Sequence, residues 1–134
     1  MKVGLVVIRD GTVLLVRNRN TTKLLLPGGK PETGETDLET LRREIYEELR
    51  CRVLCDGLTW LGEFTAEAAN NPGWMVTIRA YRGDLDGVPQ PYSEVGEVKW
   101  FDPSRDDPDE LSAVLRDLVI PALAQRRLLP TGSG

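Results

Sequence analysis

The chain predicts an α/β protein in which a mixed β-sheet lies between helices. Short apolar runs of strand length open the chain, at Val3 to Ile8 and Thr12 to Val16, and recur after residue 52. One central amphipathic helix interrupts them, and a second helical region closes the chain from Pro108 onward. Strands on both sides of a single helix, with a further helix at the end, suit a sheet covered on both faces.

Taken in order, the first two runs are joined through Arg9-Asp10-Gly11, and Asp-Gly is a strong signal for a two-residue hairpin. Arg17 to Thr22 reads as a polar loop, and Lys23 to Leu26 as a short strand stopped by Pro27-Gly28-Gly29. The central helix begins near Thr36 or Asp37, either of which can cap it, and ends near Leu49. Arg52 to Leu54 and Leu58 to Thr65 are strand-like, with Trp60, Leu61 and Phe64 expected in the sheet core. Asn70-Asn71-Pro72-Gly73 marks a turn within a loop from Ala66 to Gly73. Trp74 to Tyr81 alternates as a strand with Met75, Thr77 and Arg79 on one face. Gly83 to Glu94, punctuated by Gly87, Pro89 and Pro91, reads as a long functional loop, followed by a last strand from Glu97 to Phe101. Pro108 to Leu129 is expected to be helical, kinked or broken at Pro121. Residues 1 to 129 then form a single domain, and 130 to 134 a disordered tail.

Composition narrows the classes of function. At 134 residues the chain can bury about two-thirds of its unfolded surface. A net charge of −4 and a pI near 4.9 disfavour a nucleic-acid polymer or an anionic membrane as partner. The opening apolar run is too short for a secretory core and runs straight into Arg9-Asp10-Gly11, so it reads as a buried strand. Two cysteines, Cys51 and Cys55, are too few for a disulfide framework and fit a reducing cytoplasm. Histidine is absent, which excludes the usual zinc sites and Ser-His or Cys-His nucleophile pairs.

The central helix carries the chemistry. Glu44, Glu47 and Glu48 stand at spacings of three and four, so they project from one side. Leu38, Leu41, Ile45 and Leu49 form an apolar stripe on the neighbouring side. Like charges at these spacings weaken a bare helix by a few tenths of a kcal/mol per pair, at ~0.2–0.5. The cluster becomes favourable when it holds a divalent cation, and hard carboxylate oxygens suit Mg²⁺ or Mn²⁺.

Residues 29 to 51 resemble the Nudix box: glycine, five residues, glutamate, seven residues, Arg-Glu, an aliphatic residue, any residue, Glu-Glu, any residue, glycine and an aliphatic residue. Gly29, Glu35, Arg43, Glu44, Ile45, Glu47 and Glu48 match in register. Arg50 stands where the family has glycine, and Cys51 occupies the final aliphatic position. At Arg50 the chain either takes up the left-handed turn that glycine favours or runs the helix on. The resemblance implies an α/β/α sandwich with a mixed sheet over nearly the whole chain. It implies Mg²⁺ (or Mn²⁺) held by Glu48, Glu47 and Glu44, with the carbonyl oxygen of Gly28 as a further ligand; the alternative for Gly28 is a plain turn. Glu35 and Arg43 are expected to pair as a structural salt bridge fixing the loop against the helix. The resemblance also implies a further carboxylate from the late loop, as metal ligand or general base, with Glu94 preferred to Glu97 as the base.

Substrate is less well marked. At the family's offset for a substrate-specific proline or tyrosine the chain has Ala66 and Glu67, and the longer signatures for NADH and coenzyme A substrates are missing. The chain therefore resembles members acting on (deoxy)nucleoside triphosphates, cleaved to monophosphate and pyrophosphate, with ADP-ribose or a nucleotide sugar as the alternative. A non-catalytic nucleotide-sensing domain is the alternative from another class. Trp60, Trp74 or Tyr92 can stack on a base, and Arg17, Arg19, Arg79 and Lys30 can contact phosphate, although each also fits a core or solvated-surface role. The expected partner is a small nucleotide handled in the cytoplasm, by a monomer or homodimer.

Overall fold

The computed structural model describes residues 1–68 and 73–129. The tail from 130 to 134 and the turn residues Asn70, Asn71 and Pro72 lie outside the described residues. Among the described residues seven strands form two sheets. The four-stranded sheet has the order β4 (Gly28–Gly29), β1 (Lys2–Val6), β6 (Met75–Asp86), β5 (Arg52–Glu67). The three-stranded sheet has the order β2 (Ile8–Arg9), β3 (Thr12–Asn18), β7 (Val95–Phe101). β1 runs parallel to β6 and every other pairing is antiparallel, so the arrangement is mixed. The Asp10-Gly11 hairpin forms as expected, with φ of 52° and 76° at its two central residues.

Two apolar cores lie on opposite sides of the strands. In one, Leu41, Ile45 and Leu49 of α1 (Asp37–Leu49) pack on Val3, Leu5, Leu14 and Val16. In the other, Val114, Leu115, Val119 and Leu123 of the C-terminal helical segment pack on Val6, Leu15, Ile78 and Phe101. Strand alternation sends successive residues such as Leu14 and Leu15 into different cores. This is the expected α/β fold with helices on both faces.

Helix α1 starts where the sequence indicates. Thr36 accepts from the Glu39 amide at 3.2 Å while the Glu39 carboxylate accepts from the Thr36 amide at 3.0 Å, a reciprocal capping box. It ends at Arg50, which is left-handed at φ 55° and ψ 33°, with its amide donating to the Tyr46 carbonyl at 3.0 Å. The chain thus takes the glycine-type turn with an arginine.

Several boundaries differ from expectation. β6 runs on to Asp86, so the long loop shrinks to the segment after it; Arg52, Val53 and Leu54 of β5 hold its end through Asp86, Leu85 and Asp84. β5 is continuous across Gly57 and Gly62 because bulges absorb both glycines, as register shifts at Leu54/Thr59 and Trp60/Gly62 show. Trp60 is not core: β5 is a sheet edge, and the ring stays 47% exposed against Tyr81. Leu24 and Leu25 form single bridges to Leu111 and Val16 and no strand of their own. Pro108–Glu110 is a 3₁₀ turn, and a wide π turn at Leu115–Val119 feeds α2 (Ile120–Gln125). Pro121 therefore lies inside the helical segment, where the π turn spares the proline an amide it lacks. Among the described residues no helix is long and apolar enough to cross a membrane.

Candidate active site

The glycine pair and helix α1 meet because β4 lies antiparallel on β1, with Gly29 opposite Val3 and Gly28 opposite Gly4. Gly28 has φ 143°, and a Cβ there would sit 2.0 Å from the Val3 carbonyl oxygen. A Cβ on Gly29 would come within 2.4 Å of the Glu44 carboxyl carbon. Only backbone without side chains can approach the acidic helix this closely. The Gly28 amide donates to Glu48 Oε1 at 2.9 Å, which makes this segment a clasp on the helix.

Arg43 organises the rest. Its Nε and Nη2 grip the two oxygens of Glu35 at 2.8 and 2.9 Å, its Nη1 donates to Glu44 at 2.7 Å, and Nη2 also donates to the Lys30 carbonyl at 3.0 Å. Glu35 accepts further bonds from the Glu32 amide at 2.8 Å and the Thr40 hydroxyl at 3.1 Å. The guanidinium and these donors hold the Glu35 carboxyl down at about 2. Fork geometry of this kind is what arginine offers and lysine does not.

The three carboxylates of the acidic face occupy different settings. Glu44, with its side chain 20% exposed, is tied to Arg43, whereas Glu47 is 54% exposed and faces water. Glu48 is the perturbed one. Burial pushes its carboxyl up to about 8; the Gly28 amide opposes that rise, and the charges of Glu44 and Glu94 add to it. Among the described residues no three His, Cys, Asp or Glu side chains are already gathered into a metal cage. The donors nonetheless fit a hard dication: the ionised form of Glu48 is disfavoured by burial and by Glu44 and Glu94, so a cation there would favour it, and Glu44 lies in a cradle that any side chain at position 29 would fill.

Glu48, Gly28 and Gly29 line a cavity of about 270 Å³ whose wall also includes Asn18, Thr21, Lys23, Leu25, Ile78 and Ser112. Asn18 Oδ1 and Ser112 Oγ are both buried and without a hydrogen-bond partner. Ser112 is 5% exposed and reaches this place because its amide donates to the Leu24 carbonyl at 3.1 Å. Neither residue carried a sequence signal, since an isolated serine or asparagine has no spacing to read.

Other expected contacts lie outside the cavity. Arg17 pairs with Glu97 and with Glu110 at 3.4 Å, and Lys99 joins the same group through Glu110 at 2.9 Å. Arg79 donates to Asp37 at 2.8 Å and lies over Trp60 at 5.3 Å. Lys30 is exposed, Trp74 is 72% exposed, and Tyr92 stacks with Arg50 at 5.1 Å. Glu94 is exposed on the loop before β7, with its carbonyl accepting from the Arg19 amide at 2.9 Å.

Comparison with known proteins shows the family. Residues 1–119 match the NUDIX domain. A MutT-like protein of Streptomyces ambofaciens is 32% identical over 109 residues, which is 81% of this chain and 64% of that protein, so the chain spans just under two-thirds of its relative's length. The crystal structure of a MutT NUDIX hydrolase from Burkholderia pseudomallei superposes with a TM-score of 0.73 at 27% identity, covering 92% of this chain and 95% of that one. The MutT protein from Methanosarcina mazei Go1 superposes with a TM-score of 0.72 at 21% identity, covering 94% of each chain. With a glycine clasp, an Arg-Glu fork and an acidic helix in the box register, and with the domain matched over most of its length, the chain belongs to the Nudix family.

Proposed function

We propose that this protein is a divalent-metal-dependent pyrophosphohydrolase that cleaves (deoxy)nucleoside triphosphates to monophosphate and pyrophosphate. The observation that carries the reading is Glu48, a carboxylate withdrawn from water beside a nucleoside-sized cavity and crowded by Glu44 and Glu94. Glu48, Glu44 and Glu47 are the side chains that would hold Mg²⁺ or Mn²⁺, with the Gly28 carbonyl as a backbone ligand. When bound, the ion neutralises phosphate charge and acidifies a coordinated water.

The protein's own groups supply position and a proton acceptor. Arg43 holds Glu35, Glu44 and the Lys30 backbone in one frame, so the acidic face and the glycine clasp keep their distance. Glu94 takes the proton from the attacking water as the new P–O bond forms; the bridging P–O bond breaks and pyrophosphate leaves. Glu97 is the weaker choice because its carboxylate is paired with Arg17, whereas Glu94 has no ion pair among the described residues. The cavity beside Glu48 has room for a nucleoside. Ser112 and Asn18 offer it unpaired polar atoms. Buried free Cys51 is consistent with work in the cytoplasm.

The test is a panel of nucleoside triphosphates, ADP-ribose and nucleotide sugars, assayed for product release with Mg²⁺ and then Mn²⁺. Deoxynucleoside or nucleoside triphosphates should be turned over fastest, giving pyrophosphate. A faster rate on ADP-ribose would move the substrate assignment, and no turnover with either metal would leave a nucleotide-sensing domain.

A further inference from the structure

The arginine that replaces the box glycine does more than end a helix. Its guanidinium lies 5.1 Å from the ring centroid of Tyr46, on α1, and 5.1 Å from that of Tyr92, on the loop before β7. Among the described residues Arg50 has no carboxylate partner, so its charge is spent on the two aromatic faces. The left-handed backbone at φ 55° is what turns the side chain out of the helical path at this point.

The loop it touches has few other ties to α1. Val88 is 75% and Tyr92 40% exposed, and Pro89 and Pro91 have no amide to donate. Two backbone bonds tie the loop to the end of α1: the Gln90 amide to the Leu49 carbonyl at 3.3 Å and the Tyr92 amide to the Glu48 carbonyl at 2.9 Å. Ser93, with φ 56°, then turns the chain to Glu94, whose carbonyl accepts from the Arg19 amide at 2.9 Å. Tyr92 is thus two residues from Glu94 and bonded to the backbone of Glu48 itself.

We propose that Arg50 is a positioning residue: stacked between Tyr46 and Tyr92, it clamps the late loop onto the end of α1 and so sets where Glu94 stands relative to Glu48. The clamp rests on the reading of Glu94 as general base. It acts on turnover through geometry, since a small displacement of a reacting group costs rate without costing substrate affinity.

Full-length Arg50→Gly should keep a melting temperature close to the wild type, because glycine suits the left-handed turn. Its kcat on a nucleoside triphosphate with Mg²⁺ should fall by about 10- to 100-fold with KM little changed. Backbone amides from 88 to 94 should exchange hydrogen faster. Tyr46 does not line the cavity beside Glu48, and its ring is what the guanidinium stacks on: Tyr46→Phe, which keeps the ring, should retain kcat, while Tyr46→Ala should fall towards Arg50→Gly. Wild-type kcat in Arg50→Gly alongside a slow Glu94→Gln overturns the clamp and leaves the base assignment standing. Wild-type kcat in Glu94→Gln instead overturns the base assignment, and the exchange rates then decide the clamp alone. Unchanged exchange in Arg50→Gly overturns it in either case.

Discussion

The segments flanking α1 both deliver groups to Glu48, and they are secured in opposite ways. The entering segment, Gly28 to Thr36, is held by sheet pairing to β1, by the bidentate Arg43–Glu35 fork, by the Lys30 carbonyl and by the capping box. The late loop, by contrast, is tied to the helix end by two amides and one stacked arginine. The difference separates two demands. On the proposed function, ligands for a small dication need a fixed spacing, whereas a base must admit substrate and then close on it.

The largest effect should come from the point where both segments meet. Glu48→Gln should nearly abolish metal-dependent turnover while leaving the fold intact, since Leu41, Ile45 and Leu49 are untouched. It should also stabilise the metal-free protein at neutral pH. The folded carboxyl titrates near 8 against an ordinary value of 4.5, so the folded state holds its proton more tightly than the unfolded chain does. Stability of the metal-free wild type therefore declines as pH rises from about 4.5 through 8, by an amount on the order of a few kcal/mol. Denaturant melts across that range, with and without Mg²⁺, report it. The slope should vanish in Glu48→Gln, and a wild-type slope in that mutant would remove Glu48 as its source.

On the late loop, Glu94→Gln should lower the rate by about 10²–10⁴-fold with little change in metal affinity. Glu97→Gln should be milder, because it loosens Arg17, its partner across the β3–β7 pairing. A pH–rate profile of both decides between them, and the larger loss at Glu97 reverses the assignment. In the entering segment, Glu35→Ala or Arg43→Ala should cost stability as well as rate, the latter by up to about 100-fold through misplacement of Glu44 and the clasp. Either single change strands the other partner, so the double mutant should lose much less than the sum. Additive losses would show that the fork does not couple them.

How much of this was readable beforehand follows the range of the interaction. Local signals were legible: Thr36 as cap, Asp10-Gly11 as hairpin, the acidic and apolar sides of α1, and the register of Arg43 with Glu35. Signals that depend on strand neighbours were not. Gly83 looked like the start of a loop because glycine disfavours strands, yet pairing with β5 carries β6 to Asp86. Trp60 looked like core because aromatic residues usually are, but nothing in the sequence marks β5 as an edge. Arg17 finds Glu97 and Glu110, which stand 80 and 93 residues away, and no local pattern foretells such partners. Among the site residues, Glu44, Glu47 and Glu48 announce themselves by spacing, whereas Ser112 needs Leu24 paired beside Leu111 before it faces anything.

The presence of two separate cores has a bearing on how this protein can change. The acidic helix is seated in one core, while Ser112 leads into the helical segment seated in the other. Residues at 112 to 114 can vary without shifting Leu41, Ile45 or Leu49 beneath the carboxylates. Position 28 has no such freedom, because the Val3 carbonyl occupies the space that any side chain would take. If the cavity takes the nucleotide as proposed, selection for a new one, in nature or in a laboratory library, has its open ground at the C-terminal wall, and the clasp is where it meets a dead end.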